Sequence, residues 1–307
     1  MSKYLVKRIG YLFVTIAIVS FIVFMMLFFT PGDPATLILG NMSTEEAREA
    51  MREQLGLNSP FLVQYFNFVK DLVLHQDLGT SYITQRPVLQ EILEVVPNTL
   101  ILSFVAIVIA VVFGVALGII SAVRQYSLID AIVTVFAMIG ISAPIFWYGL
   151  LMILLFSVQL GWFPPSGFDT PSQMFLPCLA LGIQSMSMIA RMTRSSMLEI
   201  IRMDFVKMAR AKGQKEVWVI LSHVFRNALI PVITVIGLQF GMLLCGALFL
   251  EVIFSIPGLG RLMIESIKMR DYPVVMGGVF FMSLCVTIVN LITDICYALV
   301  DPKIAKS

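Results

Sequence analysis

SSMLEIIRMDFVKMARAKGQKEVWVILSHVFR, residues 195–226, separates two long apolar runs, residues 174–194 and 227–251, and is itself too charged to cross a bilayer. It has helical periodicity. Phe205, Met208, Ala209 and Lys212 fall at i, i+3, i+4 and i+7, so they share one side of a helix. Asp204 sits in the first turn, where a carboxylate complements the helix dipole. Gly213 accepts positive φ and ends that helix. A second helical piece begins near Lys215 and carries Val217, Trp218, Ile220 and Leu221. The stretch predicts a helix–glycine–helix hairpin at a membrane surface. Two readings fit it: an amphipathic element resting on lipid headgroups, or a docking element for a cytoplasmic partner.

The rest of the chain says which solvent surrounds this hairpin. Hydrophobic types make up 59% of the 307 residues and charged types 13%, against about 25% charged in a soluble globular domain. Mean hydropathy is +0.93. Such a chain cannot cover itself with polar surface, so lipid is most of its surroundings. About six apolar stretches can span, at residues 9–29, 97–123, 128–159, 174–194, 227–251 and 274–300. The first follows Lys3, Lys7 and Arg8 and is stopped by Pro31 and Gly32. It is longer than a signal-peptide core, and TPGDPA follows it in place of a small-residue cleavage site, so it reads as an uncleaved span. Pro144 and Pro231 kink or start helices, for packing or for gating.

Residues 31–96 are more polar and read as a folded extracytoplasmic insertion at the membrane surface. Ser43 with Glu46 three residues on forms a capping-box pattern. Residues 61–74 are apolar on one helical face, and Asn41-Met42-Ser43 matches a glycosylation acceptor. Glu91 and Glu94 share one side of a helix and read as a solvated face. The expected organisation is a first helix (1–30), the insertion (31–96), and a five-span core (97–307) that includes the loop 195–226. With the N-terminus in the cytoplasm, 14 of the 21 basic residues fall on the cytoplasmic side, as the positive-inside rule requires. Six spans then return the C-terminus to the cytoplasm.

Catalytic constellations are missing from the sequence. It has no phosphate-cradling G-x-x-x-x-G-K-[ST] loop, no G-x-S-x-G and no H-E-x-x-H. Two histidines, and cysteines 178, 245, 285 and 296 in apolar runs, form no metal or redox motif. No metal, bound cofactor or nucleic-acid partner is expected. Asp130, Glu251 and Asp294 lie near span ends, where snorkelling or pairing is easy. The mid-span polar residues Gln184, Gln239 and Asn290 either line a polar path or bond helix to helix. Gly237, Gly241 and Gly246 suit close helix packing or a flexible pore wall. A shortage of mid-span charge counts against an ion-coupled carrier, and the missing constellation against a membrane enzyme.

DFVKMARAKG (204–213) followed by HVFRNALIP (223–231) resembles the cytoplasmic motif of binding-protein-dependent ABC importer permeases. The wider family begins its motif with Glu-Ala-Ala. Lys207, Met208 and Ala209 stand here instead, a departure shared with the peptide and nickel branch. EVIFSIPGLGRLMIESIKMRDYPVV (251–275) is similar to the external segment between the last two spans of peptide permeases, with Ile256 where tryptophan is more usual. TPGDPA (30–35), LGLNSPFLVQYFNFVKDL (55–72) and DLGTSYITQRPV (77–88) resemble that branch's N-terminal region, and VDPKI (300–304) its C-terminal signature.

The resemblance covers essentially the whole chain. It implies an all-α, type I importer permease of the dipeptide, oligopeptide and nickel branch, the first of a peptide-permease pair, in a bacterial or archaeal inner membrane. Residues 204, 205 and 207–213 (Asp204, Phe205, Lys207, Met208, Ala209, Arg210, Ala211, Lys212, Gly213) would be the coupling element that meets an ATPase. The implied partners are a second homologous permease, two ABC ATPases holding ATP and magnesium, an external solute-binding protein and the bilayer. The cargo would be a dipeptide or oligopeptide, or in a close cousin nickel, glutathione or another small solute.

Overall fold

The computed structural model describes residues 2–29, 32–40 and 43–300. The Asn41-Met42 half of the acceptor triplet, Thr30-Pro31 of TPGDPA and most of VDPKI lie outside the described residues. In chain order the helices are α1 (Ser2–Phe28), α2 (Pro34–Leu39), α3 (Glu45–Gln54), α4 (Phe61–His75), α5 (Val88–Val123), α6 (Leu128–Ser142) and α7 (Ile145–Met152). A π-helical stretch, Ile153–Gln159, extends α7. There follow α8 (Pro171–Ile201), α9 (Asp204–Ala211), α10 (Glu216–Trp218), α11 (Arg226–Ile253), α12 (Leu259–Met269) and α13 (Tyr272–Val300). Another π-helical stretch, Val219–Phe225, joins α10 to α11. The described residues form no strand, and their one β-type contact is an isolated bridge between Thr80 and Pro87.

Four of these helical runs are long and apolar enough to cross a bilayer: Val88–Val123, Pro171–Ile201, Glu216–Ile253 and Tyr272–Thr293. Leu128–Ser142 and Ile145–Gln159 make a fifth if counted as one broken span, and α1 adds the apolar piece Phe13–Met26. The expected span over 128–159 is broken at Pro144, where a kink or helix start was expected, and its halves meet at 108°. Proline excludes the residue before it from the helical region, and Ala143 accordingly sits at ψ 142. Tyr148 then donates its hydroxyl to the carbonyl of Ile139 at 2.8 Å and fixes the bend.

The chain divides into two compact units. The first holds residues 2–4, 100–256 and 286–300. Its core gathers Leu102, Ala106, Leu176, Leu181, Ile189 and Leu250 from α5, α8 and α11, with Phe254 just past the end of α11. Small residues let these helices approach backbone to backbone. A Cβ on Gly182 would lie 2.9 Å from the carbonyl oxygen of Ala106. The glycines of α11 also serve packing: Gly237 meets Thr293 of α13, Gly241 meets Asn290, and Gly246 faces Ile145 and Leu181. Helix α8 starts at Pro171, ahead of the expected 174. Proline suits the first helical position, and Gln173 Oε1 accepts from the amides of Asp169 (2.9 Å) and Thr170 (3.0 Å).

The second unit holds residues 5–99 and 257–285. Two segments far apart in sequence thus fold together, whereas residues 31–96 alone were expected to form the insertion. Phe21, Phe24 and Phe28 of α1 pack edge or face against Phe61, Tyr65 and Phe68 of α4, with centroids 5.1–6.3 Å apart. The N-cap of α3 is Thr44, which accepts from the amide of Ala47 at 3.3 Å. Ser43, the expected cap, instead accepts from Arg48 Nε and donates to the carbonyl of Gly40. Helix α5 begins at Val88, nine residues before the expected span, because Val88, Ile92 and Val96 repeat every turn and bury against Leu259, Met263 and Val274. Glu91 is buried rather than solvated and accepts from Thr84 Oγ1, while Glu94 stays exposed beside Arg86.

Asp271 holds this unit's loop in place. Its carboxylate accepts from Ser81 Oγ and from the amide of Tyr82 at 3.0 Å. Burial, with Asp271 nearby, pushes the Tyr82 phenol up to about 12. Asp271→Ala leaves the Ser81 hydroxyl proton and the Tyr82 amide without an acceptor, at about 1–3 kcal/mol for each group. We expect the variant to be cut by protease within residues 79–87 at concentrations that spare the parent chain. Unchanged protection would contradict this role.

Candidate functional site

The hairpin predicted from residues 195–226 forms, with shifted edges. Helix α8 runs on to Ile201, Met203 turns the chain, and α9 spans Asp204–Ala211. Gly213 follows with φ +75, and its amide donates to the carbonyl of Arg210 at 2.9 Å. Helix resumes at Glu216 and continues without a loop to Ile253. The expected division at residue 226 is absent, since a spanning helix need not end where its polar residues begin. Pro231 lies inside α11. Asn227, one turn before it, donates its side-chain amide at 2.6 Å to the carbonyl of His223 in the π-helical stretch.

One face of α9 is fixed to the first unit and the other is free. Val206 is 0% exposed and Ala209 8%. They pack in a cluster with Ala122 of α5, Met197 of α8, Val219, Ile220 and Val224 of the π-helical stretch, and Ala228 of α11. Phe205 (39% exposed) and Met208 (61%) project away from that cluster. So does Lys212, and only Ala209 of the expected stripe is buried. The sequence pattern located a helical face but not the contacting one, which lies a residue round at Val206. Exposed Val217 and Trp218 extend the free apolar surface across the turn.

Ion pairs hold the turn rigid. Arg210 grips Glu216 through Nη2 and Nε at 2.7 and 3.1 Å across Gly213. This bidentate bond raises the Arg210 guanidinium above its usual value. Gln214 meets His223 Nε2 at 2.8 Å. Lys207 donates to Asp204 at 2.9 Å, which holds the Asp204 carboxyl below the usual range. Exposed Ala211 closes the helix. The residues Asp204, Phe205 and 207–213 therefore share one short, braced projection.

The three mid-span amides are not gathered into one cluster. Gln184 Nε2 lies 3.5 Å from the carbonyl of Ile141, at the broken end of α6. Gln239 donates to Ser185 Oγ at 3.1 Å, linking α11 to the same turn of α8. Asn290 is exposed on α13 beside Gly241. Sequence reasoning offered pairing for Asp130 without finding its partner. Arg194 of α8 binds Asp130 of α6 through Nε and Nη2 at 2.7 and 2.8 Å, and Asp130 is 5% exposed. Ser121 Oγ of α5 donates to the same carboxylate at 2.5 Å, and the amide of Tyr126 at 2.9 Å. Only the spacing of a carboxylate and an arginine at neighbouring span ends hinted at it. Glu251, expected near a span end where snorkelling or pairing is easy, is fully buried.

This braced hairpin on a bundle of broken and proline-bearing helices has counterparts. Residues 114–306 match the family described as binding-protein-dependent transport system inner membrane component, and residues 1–103 match the N-terminal part of such membrane components. The chain is 43% identical over 304 residues to the glutathione transport system permease protein GsiC of Escherichia coli O6:H1 (strain CFT073), covering 99% of each. GsiC of Salmonella typhi is also 43% identical, with the same coverage. Among solved structures, the inward-facing MetNI methionine ABC transporter aligns at TM-score 0.56 and 18% identity, over 69% of this chain and 97% of that one. An amino acid ABC transporter with histidines aligns at 0.52 and 19%, over 68% and 93%. Identity that low shows the fold alone, and it is the fold of ABC importer permeases. By the family matched along its length, this chain belongs to the binding-protein-dependent inner-membrane transport components and is a permease subunit of an ABC importer.

Proposed function

We propose that this permease imports short peptides, glutathione-like tripeptides among them, and that α9 couples transport to ATP hydrolysis on partner subunits. The observation that carries the coupling role is the two-sidedness of α9. Val206 and Ala209 key it to α8 and α11, and Phe205 and Met208 remain free for a partner. Closure of an ATPase dimer around that free face moves a rigid projection. The close-packed cluster beneath passes the displacement to both long helices, because packed interiors shift as bodies. ATP and magnesium stay with the ATPases, two of which serve one importer.

A second, homologous permease completes the pathway, and an external binding protein delivers cargo. Both termini and α9 lie in the cytoplasm, while residues 32–87 and 257–271 face outward, as the basic residues around the hairpin favour. End-to-end likeness to glutathione permeases supports a peptide-like cargo over nickel. Purification of the tagged chain from its native membrane in mild detergent tests the assembly. Recovery with a second permease and nucleotide-binding subunits is expected. Recovery alone, with solute movement independent of ATP, would contradict it.

A further inference from the structure

The second unit has an open cavity of about 540 Å³ walled by α1, α3, α4, the segment 77–82 and the start of α13. That volume lies in the range of small-molecule sites. Its lining is divided by chemistry. Phe24, Phe28 and Phe68 form an aromatic wall, continued by Leu55, Leu57 and Met276. Asp71 and Asp77 stand among the polar lining with Asn67 and Gln64. Gln64 uses its amide hydrogens on the carbonyls of Leu57 (2.9 Å) and Ser59 (2.8 Å), so its side-chain oxygen is left as an acceptor.

The charges of the described lining are three carboxylates against one guanidinium. That guanidinium is committed: Arg52 binds Asp33 at 3.1 Å and Glu49 at 3.2 Å. Asp33 also accepts from Thr36 at 2.7 Å. Burial raises the Asp33 carboxyl, but the bonds from Arg52 and Thr36 outweigh it and leave the group below its usual value. Asp71 and Asp77 hold weaker partners, His75 at 3.4 Å and the amide of Gly79 at 2.8 Å. Tyr272 lines the same cavity, and its hydroxyl is buried without a hydrogen-bond partner among the described residues. Carboxylates beside aromatic faces select an organic cation. Amide acceptors and an apolar wall select one that carries peptide groups and apolar side chains.

We propose that this cavity is a binding site for short apolar peptides, with the N-terminal ammonium held by Asp71 and Asp77 and a side chain against Phe24 and Phe68. The assignment rests on the peptide-import reading and adds to it a cargo site carried by the permease itself. It implies that a free amino terminus is required.

The test is equilibrium binding of radiolabelled Leu-Leu to the purified full-length chain, with its partners if they accompany it, in phosphatidylcholine nanodiscs without the external binding protein. Saturable binding is expected. N-acetyl-Leu-Leu, which lacks the ammonium, should compete at least about tenfold more weakly, as loss of a charge-assisted bond implies. The near-isosteric double variant Asp71→Asn/Asp77→Asn should weaken Leu-Leu binding by a similar factor with unchanged gel-filtration and melting behaviour. Should that variant fail to fold, the acetylated competitor on the parent chain decides alone. No saturable binding, or equal competition by the acetylated peptide, overturns the proposal. Loss of Leu-Leu binding in phosphatidylethanolamine nanodiscs would assign the site to a lipid headgroup and overturn the peptide assignment. The importer reading is judged separately, by recovery of ATPase subunits, so the two can fail independently.

Discussion

Gly213→Asp abolishes ATP-driven uptake, by at least about 100-fold, while the chain still inserts and accumulates. Backbone strain alone cannot do this. Gly213 has φ +75, and an added Cβ meets nothing within 4 Å. A side chain in the left-handed region costs about 1–2 kcal/mol, and aspartate is among the residues that tolerate it best. The fold of the first unit therefore survives. The new carboxylate, however, stands at the turn bridged by Arg210 and Glu216, at the tip that the proposed ATPase docking would cover. A hundredfold loss corresponds to about 2.7 kcal/mol, within reach of an unpaired charge trapped at an interface. Gly213→Ala carries the strain without the charge and should keep most activity. Uptake in proteoliposomes reconstituted with the ATPases, normalised to permease abundance, separates the two variants. Equal loss in both would assign the effect to backbone strain.

Asp130→Ala is the variant expected to be most destabilising. It leaves Arg194 without its carboxylate and strips partners from Ser121 and the amide of Tyr126. Removing one member of a buried pair costs about 3–5 kcal/mol. Arg194 retains 28% side-chain exposure, so some solvation of the orphaned guanidinium reduces this to about 2–4 kcal/mol. A fall in melting temperature and lower membrane abundance should follow. The double variant Asp130→Ala/Arg194→Leu removes the stranded charge and should recover much of the loss. A single variant as stable as the parent would show that the pair does not hold α6 to α8.

What the sequence revealed and what it hid divide along the range of the interactions. The helix ending at Gly213 and restarting near Lys215 was readable because turn chemistry is local: one glycine and one period change fix it. The contacting face of α9 was not, because Val206 is buried in a cluster with Met197, Val219 and Ala228, which arrive from other helices. Pro144 announced a break, but its 108° depends on Tyr148 reaching Ile139 and on the packing of α7 against α8 and α11. The shift of the α3 cap from Ser43 to Thr44 turns on Arg48 drawing Ser43 away. Burial of Glu91 needs Thr84, and the union of residues 77–88 with 257–285 needs Asp271, 190 positions beyond Ser81. The polar residues Gln184 and Gln239 were visible as isolated amides in apolar runs. Their partners, a carbonyl freed by the α6 break and Ser185, were not.

The coupling role of α9 is tested most directly by photo-crosslinking. A photoreactive amino acid is placed at Met208 or, as control, at Val206, and irradiated in membranes that contain the assembled importer. Met208 is 61% exposed and Val206 fully buried against the permease's own helices. An adduct with a nucleotide-binding subunit from Met208, changing in yield when ATP is bound, and none from Val206, is the predicted result. Absence of that adduct from Met208 in an importer that transports normally would contradict the account.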